Sequence, residues 1–589
     1  MKRSLALFLW VLIALLGLAP FVPPKMGAPA YADSAPALVK KPRPETTPPP
    51  ARFVADDDTT GVALRARGAS EPQPFLLALD RGAAPARLAG VLQQDIARDG
   101  YTVRRVASTD HADIYIGYDP PPTFLTFPLT ATHFIPVVSY WLPITEVAYA
   151  DLERIFRGEV RTWADLGAPT PEKVARLALR TDPPAPLAPP AGPFLPDTAA
   201  LAAALDTLPG GIALVPLEQV DPRMRALRVD GRDPLLEEEA TPGDPLVRQL
   251  YVAVAPDAPA HAAAWVRVLA GHQHIAPPEP AIEIVVVGDI MPGRLVGRRL
   301  LAFDDYTCPF SRVNEGLGAA DLTIANLEGA LSDEIAPPTE PQTMLFVGNG
   351  RFVEGLRYAG IDGVSLANNH SRNFGTAGVS DTLALLSAAG IGAFGAGMDL
   401  AEARRPAVFE VRGVTFAFLG YDGVSYYYAA EEERAGTMPA DPALIAADIV
   451  AAREQADVVI PYFHWGTEYT HRPSTHQKDL AHLAVEAGAH VVLGTHPHWV
   501  QGLEYYRGAA IVYSLGNFVF DQRLSQETRQ GTIVHLIFRG SRLVSLRLQA
   551  IQIEEYYQPF FLPPGPAREV YSQVQEYSPS WTQQKGAQP

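Results

Sequence analysis

The sequence predicts an α/β protein with two folded parts, and three observations lead to that prediction. The chain has 589 residues, which is more than a single hydrophobic core usually organises. Short apolar runs with strand character alternate with amphipathic stretches, as they do in α/β folds. A Pro-rich break at residues 275–280 is followed at once by a strongly apolar run, and it separates the two parts.

The composition limits both the partners and the kinds of site. Hydrophobic residues make up 47% of the chain and charged residues 19%, which is typical of a globular protein. The formal net charge of −17 argues against general binding to nucleic acid. Because Cys308 is the single cysteine, an internal disulfide and a cysteine-based zinc cluster are excluded. A metal ion would therefore need His, Asp, Glu or Asn ligands.

Residues 1–32 have the parts of an export segment. Two basic residues precede an apolar run from Ser4 to Val22, and the small-residue pattern Ala30-Tyr31-Ala32 follows. The run is long for a secretory signal and nearly spans a bilayer, so the segment is either a cleaved signal peptide or an N-terminal membrane anchor. Both alternatives predict a secreted or cell-surface protein. Residues 33–52, which are rich in Pro, predict an extended linker.

The first folded part is predicted to be an α/β domain over residues 53–275. Strand-like runs lie at Phe75–Leu79, Asp113–Tyr118 and Phe134–Ser139, and an amphipathic helix is predicted at Ala86–Asp99.

Three stretches of this part resemble phosphate-type periplasmic binding proteins. They are Pro143-Ile144-Thr145 through Tyr149–Gly158 to Thr162-Trp163, then Gly210–Pro216, and Leu250–Val254. The resemblance implies an oxyanion site between two lobes, formed by hydroxyls and backbone N–H groups. The Ser-Gly-Thr donors expected after Arg180 are absent from this sequence. The alternatives are thus an oxyanion sensor and a domain for scaffolding or partner contact.

The second folded part, residues 281–562, carries metal-capable side chains where predicted strands end. The first strand, Ile282–Val287, leads into Gly288-Asp289. Later strands lead in turn into Asn326-Leu327-Glu328, Asn368-Asn369-His370, His464-Trp465-Gly466, Thr495-His496-Pro497-His498 and Leu515-Gly516-Asn517-Phe518. Loops at strand ends can bring such residues together, and imidazole, carboxylate and amide groups suit one or two divalent ions such as Mn, Fe or Zn. Residues 563–589 are predicted to be a polar tail.

Strand by strand, these motifs resemble the CapA family of capsule (poly-γ-glutamate) synthesis proteins, a branch of the calcineurin-like metallophosphoesterases. The resemblance covers nearly all of residues 282–525. It implies a calcineurin-like metallophosphoesterase α/β sandwich, preceded by the periplasmic-binding-protein-like α/β domain.

The resemblance also implies a role for each residue of the predicted centre. Asp289 and His498 would bind the first ion, and Glu328 would bridge both ions. Asn369, His464 and His496 would complete the second ion, and His370 would stabilise charge or protonate the leaving group without binding metal. Arg294, five residues after Asp289, is either a receptor for an anionic substrate or a solvated surface residue.

The sequence departs from the superfamily at two positions. Met291 stands where the superfamily has a histidine after the first aspartate, and a thioether is a poor ligand for hard divalent ions. Glu328 stands where the superfamily has aspartate. Both departures predict a weakened first metal site.

Two hypotheses about function follow. The first is an exported enzyme with a metal-dependent, phosphoesterase-type hydrolytic centre that acts on an anionic cell-envelope polymer or a phosphoester. The second is a polymer-binding or assembly factor for a membrane synthase, which keeps the fold without the catalysis and which the methionine at position 291 favours.

Overall fold

The computed structural model describes residues 75–80, 83–99, 101–181, 185–187, 194–237, 243–272, 279–340 and 343–580. The predicted export segment 1–32 and linker 33–52 lie outside the described residues, as does most of the predicted break at 275–280. Within the described ranges, no helix combines the length and the apolar character needed to cross a bilayer.

The first part contains a mixed sheet, and its α/β class is confirmed. Its strands are β1 (Phe75–Leu79), β2 (Val103–Val106), β3 (Ile114–Gly117), β4 (Leu125–Ser139), β5 (Glu146–Val147), β6 (Ala175–Arg176), β7 (Gly211–Pro216), β8 (Met224–Ala226), β9 (Arg228–Val229) and β10 (Val247–Val254). Its helices are α1 (Ala83–Arg98), α2 (Tyr149–Arg157), α3 (Thr198–Thr207) and α4 (Ala260–His272). The sheet has the order β2-β1-β3-β10-β4-β7-β6, with β8 also paired to β4.

Strand β4 is longer than the predicted strand at Phe134–Ser139. Its second half is buried throughout, whereas its first half is mostly exposed and contains polar residues. The apolar run in the sequence therefore marks only the half that lies in the core.

The second part is built mainly from two sheets. Its strands are β11 (Ala281–Ile290), β12 (Leu322–Leu327), β13 (Ala330–Leu331), β14 (Val347–Gly348), β15 (Gly363–Ser365), β16 (Gly392–Phe394), β17 (Ala396–Gly397), β18 (Ala407–Val411), β19 (Val414–Asp422), β20 (Gly436–Thr437), β21 (Val458–His464), β22 (Val491–Thr495), β23 (Leu503–Tyr506), β24 (Ala509–Val512), β25 (Asn517–Val519), β26 (Gln530–Arg539), β27 (Arg542–Glu554) and β28 (Gln558–Phe561). Its helices are α5 (Arg294–Phe303), α6 (Asn314–Gly318), α7 (Phe352–Tyr358), α8 (Gly375–Ala388), α9 (Leu400–Ala403), α10 (Pro442–Arg453), α11 (Thr475–Glu486) and α12 (Pro564–Glu576).

The two sheets pack face to face. One has the order β16-β15-β12-β11-β26-β27-β28 and the other β18-β19-β21-β22-β24-β23. Ile284 of β11, Phe418 of β19 and Ile460 of β21 belong to one core cluster between them. Val285 of β11 instead joins a cluster that includes residues of α5 and α7, because successive side chains of a strand point to opposite faces. The predicted α/β sandwich is confirmed.

Parallel pairing brings the predicted motifs to one edge of the sandwich. Strands β11, β12 and β15 are parallel neighbours in one sheet, and β21 and β22 are parallel neighbours in the other. Asp289 is in register with Asn326, and His464 with Thr495. Gly288 permits the close approach of β11 to the segment before β25, since a Cβ at that position would lie 2.0 Å from the carbonyl oxygen of Gly516.

The segment after Pro563 differs from the predicted polar tail. Residues Pro564–Glu576 form helix α12, and Ala567, Val570 and Val574 of that helix join the core between the sheets. Their spacing of three and four residues places them on one face of the helix, while polar residues occupy the rest. Because most residues of the segment are polar, its average composition does not indicate this narrow apolar stripe.

The first and second parts contact each other through the hairpin of β26 and β27. Ile537 and Val544 of this hairpin are fully buried in a cluster with residues of β4, β7 and α3. Arg547 forms an ion pair with Asp233, with 3.0 Å between Nη2 and Oδ1. Arg542 donates to the carbonyl oxygen of Val220 at 2.9 Å. The two parts therefore share a hydrophobic core element as well as polar contacts.

This shared cluster predicts that the hairpin supports both parts. Ile537→Ala should lower the free energy of unfolding by about 2–5 kcal/mol, because it leaves a cavity in a fully buried cluster. Chemical denaturation followed by tryptophan fluorescence measures the change. Leu301→Ala, at a position that is 68% exposed, is the matched control and should change stability by less than about 0.5 kcal/mol. Equal effects of the two substitutions would contradict the packing described.

Candidate metal centre

Two carboxylates lie at the centre of the predicted site. Asp289 is fully buried at the end of β11, and Glu328, directly after β12, is 1% exposed. The side-chain amide of Asn326 donates to Oδ1 of Asp289 at 2.7 Å. Oε2 of Glu328 is buried and has no hydrogen-bond partner among the described residues. Burial and the neighbouring Asp289 carboxylate raise the pKa of Glu328 well above its ordinary value.

The predicted ligands of the second ion converge on a shared point. Nε2 of His464 lies 3.0 Å from Oδ1 of Asn369 and 3.2 Å from Nδ1 of His496. Burial lowers the pKa of His464 well below its ordinary value and that of His496 to about 3. Both imidazoles are therefore neutral at pH 7, which is the form that binds metal ions.

His498 is held by groups that accept hydrogen bonds. Its Nδ1 lies 2.8 Å from Oδ1 of Asn517 and 3.4 Å from Oδ2 of Asp289. Burial acts to lower the pKa of His498, but the Glu328 and Asp289 carboxylates and these hydrogen bonds raise it to about 9. Nε2 is the nitrogen left for a ligand. Asn517 thus orients the predicted ligand His498 by accepting a hydrogen bond from its Nδ1. Metal-binding histidines commonly have such a partner on the nitrogen that does not bind the ion.

The backbone of this loop is strained. His496 and His498 have φ angles of 92° and 57°, in a region that few residues other than glycine adopt. The backbone N–H of His496 points to Oδ2 of Asp289 at 3.4 Å. Such strain is commonly found at functional sites, where the surrounding structure holds it in place.

His370 lies beside the carboxylates and is positioned by its surroundings. Its ring stacks on Phe346 with 3.8 Å between centroids, and its Nδ1 lies 2.9 Å from Oδ1 of Asn373. Because this oxygen is an acceptor, Nδ1 carries the proton, and Nε2, 3.8 Å from Oε1 of Glu328, is the basic nitrogen. Burial lowers the pKa of His370 to about 4.

Arg294 is paired within the protein. It forms an ion pair with Asp521, including a 3.2 Å contact from Nε to Oδ2, and its guanidinium lies over Phe346 and Phe520. The side chain is 11% exposed. The solvated-surface alternative is therefore wrong. Contact with an anionic substrate stays a prediction, and it would require this pair to open or to share its donors.

Met291 is part of the hydrophobic core. It is fully buried in the same cluster as Val296 and Phe346, and its sulfur accepts a hydrogen bond from the N–H of Gly293 at 3.0 Å. The sulfur is thus engaged by the backbone of Gly293. This agrees with the prediction that Met291 does not serve as a metal ligand.

Three further residues contact the predicted site: the sequence places Asn326 in a metal-capable motif without a role of its own, and it singles out neither Asp521 nor Glu468. Asn326 contacts Asp289, and Asp521 pairs with Arg294, but these partners are distant along the chain. Glu468 lies four residues after His464, and its carboxylate groups with His496 and His498. A carboxylate so close to a predicted ligand in the same loop was a signal that could have been used.

The residues present fit a divalent ion. Ligand atoms of Asp289, Glu328 and His464 lie within 4.8 Å of one another. The unpartnered oxygen of Glu328 and the neutral imidazoles provide the electron pairs that such an ion needs. The predicted ligand set is therefore brought together in one buried centre, with half-buried Asn369 at its edge.

Comparison with known families and relatives gives consistent matches over the second part. Residues 283–522 match the model of the family described as bacterial capsule synthesis protein PGA_cap. The PGA biosynthesis protein CapA of Bacillus subtilis is 32% identical over 271 residues, which are 46% of this chain and 71% of that protein. The capsule biosynthesis protein CapA of Bacillus anthracis is 31% identical over 282 residues, or 46% of this chain and 68% of that protein.

Solved structures align with this chain at low similarity. A phosphate transport receptor from Vibrio cholerae aligns with 34% of this chain and 94% of its own, at 15% identity and a TM-score of 0.28. The NAD nucleotidase of Haemophilus influenzae aligns with 51% of this chain and 57% of its own, at 11% identity and a TM-score of 0.30.

The charge state of His498 predicts how stability depends on pH when metal is removed. Its pKa in the folded chain, about 9, exceeds the value of about 6.5 in an unfolded chain, so its contribution is present below pH 6.5 and is lost as pH rises to 9. The raised pKa of Glu328 acts in the same direction. In EDTA, the melting temperature should fall over this range, and His498 alone should contribute the equivalent of about 3 kcal/mol.

Thermal unfolding of wild type and His498→Gln between pH 6.5 and 9 measures this dependence. The variant should show a shallower slope, whatever its absolute stability. His464 and His496 do not contribute to the slope between pH 6.5 and 9. Their pKa values are lowered, so they affect the pH dependence of stability only below pH 6.5. Identical slopes would contradict the charge assigned to His498.

Proposed function

Because the chain belongs to the CapA family of bacterial capsule synthesis proteins, we propose that it acts in making an anionic cell-envelope polymer of the poly-γ-glutamate type. It would do so outside the cytoplasm, at the cell surface or secreted, with residues 1–32 as its signal or anchor. Its second part would provide a metal-dependent, phosphoesterase-type hydrolytic centre.

One observation carries the proposal of a hydrolytic centre. Ligand atoms from strands of two different sheets meet in one buried place, although their positions range from residue 289 to residue 498. Burying two carboxylates and three imidazoles together is costly unless they are compensated. A bound divalent cation is the compensation that this set of groups favours.

The chemistry follows from the positions of the side chains. Bound ions would supply polarisation of a phosphoryl or acyl oxygen and would lower the pKa of a water molecule. Asp289 and Glu328 would provide the negative groups that hold them. Asn326 and Asn517 fix Asp289 and His498 by hydrogen bonds.

His370 provides proton transfer. Its Nε2 is the unprotonated nitrogen in the free protein, since Nδ1 donates to Oδ1 of Asn373. An anionic substrate beside the ring raises the pKa of His370 from its low value, because a nearby negative charge favours the protonated form. The protonated ring can then donate to the leaving oxygen.

Removing both histidines of the strained loop tests this function. His496→Ala/His498→Ala should lower hydrolysis of bis(p-nitrophenyl) phosphate, assayed with added Mn²⁺, to the level of a no-enzyme blank. His476→Ala, on the exposed face of α11, is the matched control and should keep full activity. Full activity of the double variant would contradict the proposal.

A second candidate function is supported by Met291. The burial of its sulfur in the core leaves the centre without the histidine that the superfamily uses, so the chain could serve as a polymer-binding or assembly factor for membrane synthase components. The contact of the first part with the β26–β27 hairpin would then join a partner-binding module to the polymer-binding part.

Restoring the histidine separates the two candidates. Met291→His should raise metal-dependent phosphodiesterase turnover if the centre is a weakened hydrolase, because it adds an imidazole ligand. The measurement is initial rate against Mn²⁺ concentration, with far-UV circular dichroism to show that the variant is folded. Unchanged, negligible turnover in both proteins would favour the assembly factor.

A further inference from the structure

The loop that begins at His464 holds an acidic side chain near the predicted metal ligands. The chain turns at Gly466, which has a φ angle of 94° and where a Cβ would lie 2.6 Å from the side chain of Gln477. The next turn is at Tyr469, whose φ angle is 61° and whose N–H donates to the carbonyl oxygen of Pro497 at 2.9 Å. The loop is therefore packed against helix α11 before Glu468 and hydrogen-bonded to the His496–His498 loop after it.

This geometry directs Glu468 to the centre. A carboxylate oxygen of Glu468 and one ring nitrogen each of His496 and His498 all lie within 4.8 Å of one another. Glu468 is half-buried, whereas its neighbour Thr467 is exposed. A glutamate of a solvated surface would extend into water, where its charge is best hydrated, and would not approach two imidazoles.

The charges around Glu468 favour a cation. Its carboxylate lies close enough to Glu328 to contribute to the raised pKa of that residue, together with Asp289. Arg294, the nearby guanidinium, is paired with Asp521. The carboxylates of Asp289, Glu328 and Glu468 thus lie in a common region beside His498, and such a concentration of carboxylates favours a bound cation.

The predicted first metal site lacks one ligand, and the Glu468 carboxylate is suited to that role. The first ion is predicted to have Asp289, Glu328 and His498 as protein ligands, and the sulfur of Met291 points into a local contact with Gly293. We propose that Glu468 is a ligand of the first ion, in the place of the imidazole that Met291 does not provide. This inference rests on the metal centre of the proposed function.

A ligand set with three carboxylates has a consequence for metal choice. Carboxylate oxygens suit Mn²⁺, whereas imidazole-rich sets suit Zn²⁺ and Fe²⁺ equally well. With Glu468 as a ligand, the first site would be richer in oxygen ligands than the second, and Mn²⁺ is a suitable probe ion for it.

Titration with Mn²⁺ tests the inference without any assay of activity. Free Mn²⁺ is measured by electron paramagnetic resonance during titration of the chelator-treated, dialysed protein. Glu468→Gln should weaken binding of one Mn²⁺ per chain by about ten- to hundredfold and leave the other unchanged. Glu432→Gln, an exposed glutamate elsewhere in the chain, is the matched control and should bind like wild type.

A second variant guards against a purely structural effect. Adding Met291→His to Glu468→Gln should restore at least part of the lost affinity, which misfolding of the loop would not allow. Wild-type affinity of Glu468→Gln for both ions would overturn the inference and leave the proposed function intact. Failure of the wild-type protein to bind Mn²⁺ would overturn both.

Discussion

The burial of Asp289 and Glu328 where two sheets meet is the constraint on which the second part of the structure depends. Carboxylates removed from water cost several kcal/mol each unless hydrogen bonds or a cation compensate them. Asn326 and His498 compensate Asp289, while one oxygen of Glu328 has no partner among the described residues. Gly288 allows the chain at Gly516 to approach β11 closely beside Asp289. The left-handed backbone at His496 and His498 belongs to the loop that brings both imidazoles to the carboxylates.

The charge of the centre bears on how an anionic polymer could bind to a chain with a net charge of −17. Arg294 is a cation close to Glu328 and His370, and its charge is paired with that of Asp521. The side chains of the centre include the carboxylates of Asp289, Glu328 and Glu468, and negative charge there disfavours a bound anion. Under the proposed function, bound ions would reverse the sign of this local field, so substrate binding and metal binding would be coupled.

The sequence predicts the strands of the second part and their terminal motifs well, because each is a local pattern. A run such as Ile282–Val287 followed by Gly288-Asp289 contains both the strand and the ligand in consecutive residues. The parallel order of the strands then places the ligands at one edge. The sequence alone does not predict pairs of distant residues, such as Arg294 with Asp521. The residues around each of the two contain no pattern that indicates its partner.

The same distinction explains the differences in the fold. Helix α12 follows a narrow apolar stripe within a polar segment, and its burial depends on a groove formed by other strands. The shared cluster at Ile537 and Val544 depends on a first part that is distant in sequence. In each case the residue pattern is compatible with several environments, and tertiary packing selects one of them.

Anomalous X-ray diffraction at the manganese edge, on crystals grown with Mn²⁺, tests the central claim most directly. The account predicts one or two strong anomalous peaks among Asp289, Glu328, His464, His496 and His498, and their loss in His496→Ala/His498→Ala. Clear density for these side chains without any anomalous peak, at saturating Mn²⁺, would contradict it. The fold would then be a metallophosphoesterase sandwich whose buried carboxylates are stabilised by protonation alone.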